Sequence, residues 1–372
     1  MSPNVYIATI LAEGKMEIGK IDARLSNSKI NVTDAMWRSV LDTPFSVHGV
    51  LYDSEEGMFV RVPKDIAERV SPQVLGLSKR TSGGRVRFRT DSPYIAIHCT
   101  APAYQPMPHM PLTGSHGFSV YSDGAFAGKV TPSVDLFTAP DGENITFGGV
   151  VRLLTGGWHD IEIYMPLYGG VRELHVGVSE GACIDKPRDY KYKKPIVIYG
   201  SSITQGACAS RPGNDFAMRL SRMLDADVLN LGFSGNGNAE AAMLEYLASL
   251  DALAYIFDYN YYSDRPDRIL PDHYDVYKTL RNSDPTVPIL MMDKPSVIFA
   301  GKDYDIRMGM IRATYERALS EGDEHVAMMD AKELFGDCEA DACVVDTDHP
   351  NDLGFYRMAD AICPYLKALL TR

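Results

Sequence analysis

Hydrophobic and polar positions follow two different patterns along this chain, and the change lies near residue 190. In the first pattern, short apolar or alternating runs are separated by turn residues, as in antiparallel strands joined by hairpins. Ser122-Asp123-Gly124 is a hairpin signal of this kind. Many short strands at this spacing predict a β-sandwich or jelly roll. The predicted strands are residues 86–89, 94–99, 117–121, 158–164 and 174–178.

After residue 190, continuous apolar runs alternate with segments of helical spacing. Strands that are buried on both faces and alternate with helices predict an α/β fold with a doubly wound parallel sheet. The predicted strands are residues 196–199, 228–231, 252–257, 288–292 and 325–328. The predicted helices are residues 214–224, with Asn214 as N-cap, and residues 239–250, 273–281, 305–320 and 353–370.

The change of pattern predicts two domains, an all-β domain over residues 1–188 and an α/β domain over residues 189–372. The length agrees with this count, because 372 residues exceed the ~150 residues of an average domain.

The charge of the chain bears on its partners. A net charge of −12, from 49 acidic and 37 basic residues, disfavours nucleic acid because an acidic chain repels a phosphate backbone. The densest basic stretch, residues 186–194, is short and interrupted, and we interpret it as a solvated linker. No apolar stretch approaches the ~18 residues of a membrane span, and the apolar residues 5–12 follow no cationic run of the kind a secretory signal needs. We therefore expect a cytoplasmic protein without a membrane or nucleic-acid partner.

Cysteines in that compartment are expected to be free thiols. The closest pair, Cys338 and Cys343, lies in no Cys/His ligand array, so no structural zinc site is predicted. The six cysteines are Cys99, Cys183, Cys208, Cys338, Cys343 and Cys363.

Ligands of a doubly wound sheet bind at the carboxyl ends of its strands, so the loops there are the candidates for a site. The loop after the first parallel strand, residues 200–206 (GSSITQG), is small and polar. It suits a nucleophilic serine, which needs a base within hydrogen-bond reach. Two other interpretations are a turn whose serines cap a helix and a phosphate cradle. The phosphate-binding patterns GxxxxGK[ST] and GxGxxG are absent.

A candidate base lies in residues 346–351 (DTDHPN), just before the last predicted helix. A carboxylate three residues before a histidine, as in Asp346 and His349, can turn back and hold the imidazole in one tautomer. Asp348 competes with Asp346 for this role, but its adjacency to His349 makes the necessary turn harder. The alternative is a polar turn in which Asn351 or Asp352 caps the helix.

Candidate donors to an oxyanion follow the second and third parallel strands. Residues 230–237 contain three glycines, which let the backbone approach a ligand closely, so that a main-chain N–H can face an oxyanion. After the third strand, the side-chain amide of Asn260 can donate to the same oxyanion. The alternatives are an ordinary βα loop for the glycines and a turn residue for Asn260.

The four loops, in the chain order nucleophile, backbone donor, amide donor and Asp-x-x-His, resemble the SGNH/GDSL hydrolase superfamily from about Pro195 to the end. The GSSITQG loop and the DxxHPNxxGF ending, residues 346–355, are the most specific parts. The resemblance implies a flavodoxin-like fold and an acylhydrolase activity with Ser202 as nucleophile, His349 as general base and Asp346 as orienting carboxylate. It also implies an oxyanion hole made by the N–H groups of Ser202 and Gly235 and the side chain of Asn260. It implies no metal and no organic cofactor.

Two of these loops depart from the pattern of the superfamily. Its Gly-Asp-Ser is Gly200-Ser201-Ser202 here, so the Asp before the nucleophile is missing. Its Gly-x-Asn-Asp block is reduced to residues 258–261 (DYNY). An oxyanion hole of two backbone donors, without Asn260, is therefore an alternative.

The N-terminal half resembles the β-sandwich domain that precedes the catalytic domain in some carbohydrate esterases of this superfamily. The resemblance implies a domain that shapes the cleft or holds a sugar. Trp158, His109 and Tyr104 are candidate contacts, because aromatic faces stack on sugar rings. The alternating pattern around Trp158 favours core packing, whereas the Pro/Met-rich residues 105–111 suggest an exposed His109.

Together these features predict a serine esterase that removes short acyl groups, such as acetyl, from a carbohydrate or a small glycoside. The expected partner is a small ester or an acylated sugar, and a homo-oligomer stays open. An acyltransferase that uses the same acyl-enzyme is the nearest alternative. A non-catalytic carbohydrate-binding protein and a flavin or nucleotide binder are alternatives of other classes.

Overall fold

The computed structural model describes residues 28–259, 272–295, 301–336 and 339–371. The strands described before residue 190 form two antiparallel sheets and a two-stranded hairpin. Their strands are β1 (Ala35–Ser39), β2 (Ser46–His48), β3 (Leu51–Asp53), β4 (Met58–Val60), β5 (Arg85–Thr90), β6 (Tyr94–Pro102), β7 (Phe118–Ser122), β8 (Ala125–Val130), β9 (Asn144–Arg152), β10 (His159–Tyr164), β11 (Glu173–Ser179) and β12 (Ile184–Asp185). Three short helices, α1 (Lys64–Val70), α2 (Pro72–Ser78) and α3 (Leu112–Ser115), lie between them.

The first sheet has the strand order β1-β11-β6-β9, and the second has the order β12-β5-β10-β7-β8, with β2 also paired to β5. Their buried side chains form one hydrophobic core, to which Ile97 of β6 contributes from the first sheet and Phe88 and Ile163 from the second. Two antiparallel sheets with a shared core fit the predicted β-sandwich, whose jelly-roll connectivity stays a prediction.

The hairpin signal at residues 122–124 lies where β7 turns into β8. Asp123 and Gly124 both have positive φ values, as this type of two-residue turn requires. The pattern did not reveal β1–β4, β9, β12 or the helices α1–α3, and it gave no bounds for β8, the partner strand of the hairpin. Strands of three to five residues carry little periodic signal. In β9 the alternation is interrupted by Gly148 and Gly149.

The chain after residue 190 forms a parallel five-stranded sheet with helices around it. Its strands are β13 (Ile196–Gly200), β14 (Val228–Gly232), β15 (Ala254–Asp258), β16 (Ile289–Met292) and β17 (Val326–Met328). Its helices are α4 (Ser202–Gln205), α5 (Phe216–Leu224), α6 (Ala241–Ser249), α7 (His273–Ser283), α8 (Gly301–Ser320) and α9 (Asp352–Leu369).

The order β14-β13-β15-β16-β17 is 2-1-3-4-5 in sequence order, which is the flavodoxin-like order. The helices pack in two groups, α5 against α9 and α6, α7 and α8 against one another. β13 lies between β14 and β15. The connection from β13 to β14 and the connection from β14 to β15 therefore run on opposite faces of the sheet. A crevice therefore opens at the carboxyl end of β13, where ligands bind in such sheets.

Helix α5 begins one residue later than the sequence predicted. The N-cap of α5 is Asp215, whose carboxylate accepts from the N–H of Met218 at 3.0 Å. Asn214 is not the cap, because its side chain donates instead to Asp352 at 2.8 Å, next to the last helix.

Within the described part of the chain, helices long and apolar enough to traverse a lipid bilayer are absent. The cysteines in that part, Cys99, Cys183, Cys208, Cys343 and Cys363, are free thiols, and Cys338 lies outside it.

Candidate active site

Ser202 is the first residue of α4, directly after β13. The hydroxyl of Ser201 caps this helix by accepting from the N–H of Ile203 at 3.2 Å. Gly200 has no space for a side chain, because an added Cβ would lie 2.4 Å from Thr204 Oγ1 and 2.9 Å from Asp258 Cβ. Ser202 is 9% exposed, so its hydroxyl lies at the edge of the buried core and still reaches the surface.

Asp346 and His349 lie in a short loop before α9 that is closed at both ends. Val344 pairs with Pro350 as an isolated β-bridge, and the N–H of Val345 donates to the His349 carbonyl at 2.9 Å. Asp346 Oδ1 accepts from the backbone N–H groups of Asp348 at 2.8 Å and of His349 at 2.7 Å. The three-residue spacing thus lets one carboxylate shape the turn and also face the imidazole.

The three predicted residues form one line of hydrogen bonds. Ser202 Oγ lies 3.0 Å from His349 Nε2, and His349 Nδ1 lies 2.8 Å from Asp346 Oδ2. Burial alone would raise the pKa of Asp346, but hydrogen bonds from the His349 N–H and imidazole and from the Asp348 N–H lower it to about 2. An ionised carboxylate only accepts hydrogen bonds, so Nδ1 carries the proton and Nε2 accepts from the serine hydroxyl.

Asp348, the competing carboxylate, pairs with another group. Its Oδ1 lies 2.6 Å from Lys294 Nζ, just after β16. Asn351, one of the two caps that the alternative interpretation of this segment offered, does cap α9, and its side chain accepts from the N–H groups of Leu353 and Gly354. The segment therefore combines a helix cap with the contact between Asp346 and His349.

The glycine-rich loop after β14 lies against the start of α4. The N–H of Phe233 donates to the Gly200 carbonyl at 2.9 Å, and an added Cβ at Gly237 would lie 2.4 Å from that same oxygen. Gly235 is exposed at the tip, with a φ of +63° and no atom within 4 Å of the place of an added Cβ. The third predicted oxyanion donor, Asn260, lies outside the described residues.

Gln205 and Asn230 are two fully buried polar residues that the sequence did not single out. Gln205 Oε1 accepts from the N–H of Ser234 at 3.1 Å, which fixes the glycine-rich loop to α4. Asn230 Nδ2 donates to the Thr204 carbonyl at 2.7 Å, and its Oδ1 accepts from the N–H of Gly232 at 3.0 Å. Both residues sit within motifs that the sequence did identify, but nothing in the pattern distinguishes a buried amide from an exposed one.

Arg61, from the N-terminal half, holds the start of the glycine-rich loop by hydrogen bonds to its backbone. Its guanidinium donates to the carbonyls of Gly232 at 2.5 Å and of Asn230 at 3.2 Å, and lies 4.6 Å from the centre of the Phe233 ring. It also donates to the carbonyls of Arg80 and Leu77, both at 2.8 Å. Burial lowers the pKa of Arg61 to about 9.

The N-terminal half also holds α4 itself. Ser82 Oγ donates to the Gln205 carbonyl at 2.6 Å, and Gln205 Nε2 donates to the Leu167 carbonyl at 3.2 Å. The hydroxyl of Tyr168 reaches the carbonyl of Ser202 at 3.4 Å. The helix that begins with Ser202 is therefore held by residues from both halves of the chain.

Asp258 is a buried carboxyl group beneath the Ser201–Ser202 turn. Its Oδ2 accepts from Ser201 Oγ at 3.3 Å and from Thr204 Oγ1 at 3.2 Å. Within the described residues, its Oδ1 has no hydrogen-bond partner. Burial and the neighbouring Asp293 raise the pKa of Asp258 to about 7, although Lys294 and the two hydroxyl groups oppose this shift.

The three aromatic candidates of the N-terminal half have different positions. His109 is exposed, and its ring centre lies 5.6 Å from that of His349. Tyr104 is half-buried, and the guanidinium of Arg80 covers one face of its ring at 3.1 Å. The prediction of core packing for Trp158 is wrong. Its side chain is 46% exposed, because it precedes β10 and its ring lies near Arg89, 5.3 Å away, outside the core.

Two family models match this chain. Residues 193–367 match the GDSL-like Lipase/Acylhydrolase family, and residues 35–184 match the N-terminus of Esterase_SGNH_hydro-type. No curated protein sequence matches the chain significantly.

Several solved structures are similar over most of their length. A protein from Bacteroides ovatus described as a GDSL-like lipase is 28% identical, with 91% of this chain and 98% of that chain covered and a TM-score of 0.76. The salicylyl-acyltransferase SsfX3 of a tetracycline biosynthetic pathway is 20% identical at the same coverage, with a TM-score of 0.72. A family two carbohydrate esterase from Cellvibrio japonicus is 14% identical, also at 91% and 98% coverage, with a TM-score of 0.58. At 20% and 14% identity, the latter two likenesses establish a common fold.

Proposed function

Residues 193–367 match the GDSL-like lipase/acylhydrolase family, and on that premise we propose that this chain is a serine esterase that hydrolyses short-chain acyl esters, acetyl esters foremost, of a carbohydrate or a small glycoside. The observation that carries the proposal is the line of hydrogen bonds from Ser202 through His349 to Asp346. A serine alone is a weak nucleophile, and this arrangement supplies the base and the group that orients it.

In the proposed reaction, Ser202 Oγ attacks the ester carbonyl while His349 Nε2 takes the hydroxyl proton. The bond to the alcohol breaks, the imidazolium returns the proton to the leaving oxygen, and an acyl-serine remains. His349 then takes a proton from water, which attacks the acyl-serine; as the intermediate collapses and releases the acid, the imidazolium returns this proton to Ser202 Oγ. Asp346, ionised throughout, holds Nδ1–H and stabilises the imidazolium.

The negative oxygen of each tetrahedral intermediate needs donors that are already in place. We assign this role to the N–H groups of Ser202 and Gly235 and to the side chain of Asn260. Support comes from the close contact of the glycine-rich loop with Gly200 and from its attachment to Gln205. One such donor is worth roughly 3 kcal/mol of transition-state stabilisation in comparable sites.

The substrate class rests on two further observations. Relatives with this fold include the carbohydrate esterase from Cellvibrio japonicus. The net charge of −12 disfavours a polyanionic substrate and leaves a neutral ester as the better fit. In this proposal residues 1–188 form a β-sandwich domain that shapes the cleft of a catalytic domain, residues 189–372, with no metal or organic cofactor taking part. The cytoplasmic location stays a prediction.

The experiment that tests the proposal is labelling with a fluorophosphonate, followed by mass spectrometry. We expect a single adduct on Ser202, and no adduct on the neighbouring Ser201. A panel of acetylated sugars and esters of longer acids then measures the preference for the acyl group. Labelling elsewhere, or equal labelling of a Ser202→Ala variant, contradicts the proposal.

An acyltransferase is the second candidate function. The specific observation in its favour is the similarity to the salicylyl-acyltransferase over 91% of this chain. Both functions share the acyl-serine and differ only in whether water or another alcohol attacks it. Product analysis with and without an acceptor alcohol separates them, because a transferase yields a new ester in preference to the free acid.

A further inference from the structure

Three side chains from separate segments lie close together, and one of them is His349. His109 comes from the N-terminal half, Cys208 from the turn after α4, and His349 from the loop before α9. One metal-ligating atom from each lies within 4.8 Å of the other two. The proposed hydrolysis uses only His349, so the two other groups have no role in it.

The chemistry of this set is that of a site for a borderline-soft divalent ion. Two imidazoles and a thiolate are ligands that Zn²⁺ prefers, and three protein ligands with one open position are typical of zinc sites that also bind water. Zn–N and Zn–S distances near 2.0 and 2.3 Å place tetrahedral ligand atoms about 3.5 Å apart. The present spacing therefore needs a closure of about 1 Å, which rotation of the exposed His109 side chain can supply.

The surroundings favour a metal at one particular nitrogen of His349. Asp346 Oδ2 accepts a hydrogen bond from His349 Nδ1 at 2.8 Å. Nε2 is therefore the nitrogen that can bind a metal. A carboxylate that accepts from the other nitrogen of a ligating histidine is a common arrangement around zinc, since it fixes the ring and increases its basicity. The backbone of Cys208 is held in the left-handed region, with a φ of +71°, and its side chain is buried, so the thiol is fixed in place.

We propose that His109, Cys208 and His349 bind one Zn²⁺ ion and that this ion blocks the catalytic base. On binding, the thiol releases its proton to solvent, and Nε2 of His349 gives up its hydrogen bond with Ser202 Oγ. The serine then has no proton acceptor, so hydrolysis stops until the ion leaves. The blocking rests on the proposed function, whereas the binding of the ion does not.

The test uses the full chain, reduced and freed of metal with a chelator. Equilibrium dialysis measures Zn²⁺ bound per chain, and Co²⁺ serves as a second probe because thiolate coordination gives it a near-ultraviolet charge-transfer band. We expect one ion per chain. The affinity falls about tenfold or more in Cys208→Ser and in His109→Gln, and the cobalt band disappears in Cys208→Ser.

Two matched variants control for binding elsewhere. Cys183 is an exposed thiol and His175 a half-buried imidazole, both outside the candidate active site. Cys183→Ser and His175→Gln should bind Zn²⁺ as the unchanged chain does. If Cys208→Ser does not fold, His109→Gln alone decides, because His109 is exposed and tolerates the change.

Inhibition is measured separately on a chromogenic acetyl ester. Zn²⁺ should stop hydrolysis by the unchanged chain over the concentrations at which it binds, and should slow fluorophosphonate labelling of Ser202. Cys208→Ser should resist zinc about tenfold better, with each rate expressed relative to that of the same protein without zinc. The proposal fails if the unchanged chain binds no ion, if the two variants bind like the controls, or if zinc accelerates hydrolysis. A chain that binds zinc through these residues but hydrolyses no ester overturns the proposed function and leaves the metal site intact.

Discussion

Ser202 Oγ and His349 Nε2 lie 3.0 Å apart, although 147 positions separate the two residues in the sequence. The parallel sheet causes this approach, because it brings the end of β13 and the loop before α9 to the same edge.

Replacing Ser202 with Ala should remove the nucleophile and reduce kcat roughly 10⁴- to 10⁶-fold. Ser201→Ala is the matched control, since Ser201 caps α4 and contacts no imidazole. Its expected cost is about 1 kcal/mol of stability with activity retained. Both variants are assayed with an acetyl ester and by urea unfolding. Hydrolysis by Ser202→Ala at the unchanged rate excludes the proposed nucleophile.

Asp346→Asn should lower kcat roughly 10³- to 10⁴-fold, because an amide no longer holds the proton on Nδ1. KM should change little, since Asp346 does not face the substrate in the proposed reaction. Asp348→Asn is the control, as Asp348 pairs with Lys294, and we expect a change within about fivefold. Steady-state kinetics check both. Equal effects of the two substitutions contradict the assignment of Asp346.

Asp258 should make the stability of the protein decrease as the pH rises. Its pKa is about 7 in the folded state, against an ordinary pKa of 3.8 for aspartate, so between these values the folded state keeps a proton that the unfolded state has lost. Its contribution to the free energy of unfolding falls across that range and is constant above pH 7.

The measurement compares urea unfolding of the unchanged chain and Asp258→Asn at pH 5 and pH 8. Between pH 5 and pH 8, the free energy of unfolding of Asp258→Asn should rise by about 3 kcal/mol relative to that of the unchanged chain. Asp251→Asn is the control, because Asp251 is an exposed carboxylate paired with Lys194. The same difference at both pH values for Asp258→Asn argues against a protonated Asp258.

Arg61→Met should destabilise the protein by about 3 kcal/mol or more, because two buried carbonyls and two part-buried carbonyls lose this donor. Activity should also fall, since two of those carbonyls, Asn230 and Gly232, lie at the base of the glycine-rich loop. Arg69→Met removes an exposed ion pair with Glu245 and should cost less than about 1 kcal/mol. Denaturant unfolding and kcat report the two effects. Equal stability of both variants means that Arg61 does not anchor the loop.

The five parallel strands could be predicted because their runs are mainly apolar, although Asn230 interrupts the run of β14. The approach of Asp346 to His349 was also within reach, since it depends on a three-residue spacing inside one loop. Arg61, Gln205 and Asn230 could not be found, because their partners are backbone groups that only the tertiary structure brings near. His109 was expected to be exposed, but its position beside His349 depends on how the two halves pack.

The contacts of Gln205 with Ser82 and Leu167 bear on recombination between related genes. Ser82 lies 123 positions before Gln205, its hydrogen-bond partner. A chimera that joins the first half of one relative to the second half of another must therefore keep the donating hydroxyl and the accepting carbonyl within hydrogen-bond distance. Without these contacts, a crossover near residue 190 would leave the helix that begins with Ser202 without its hydrogen bonds to the first half of the chain. We therefore expect the two halves to be inherited together.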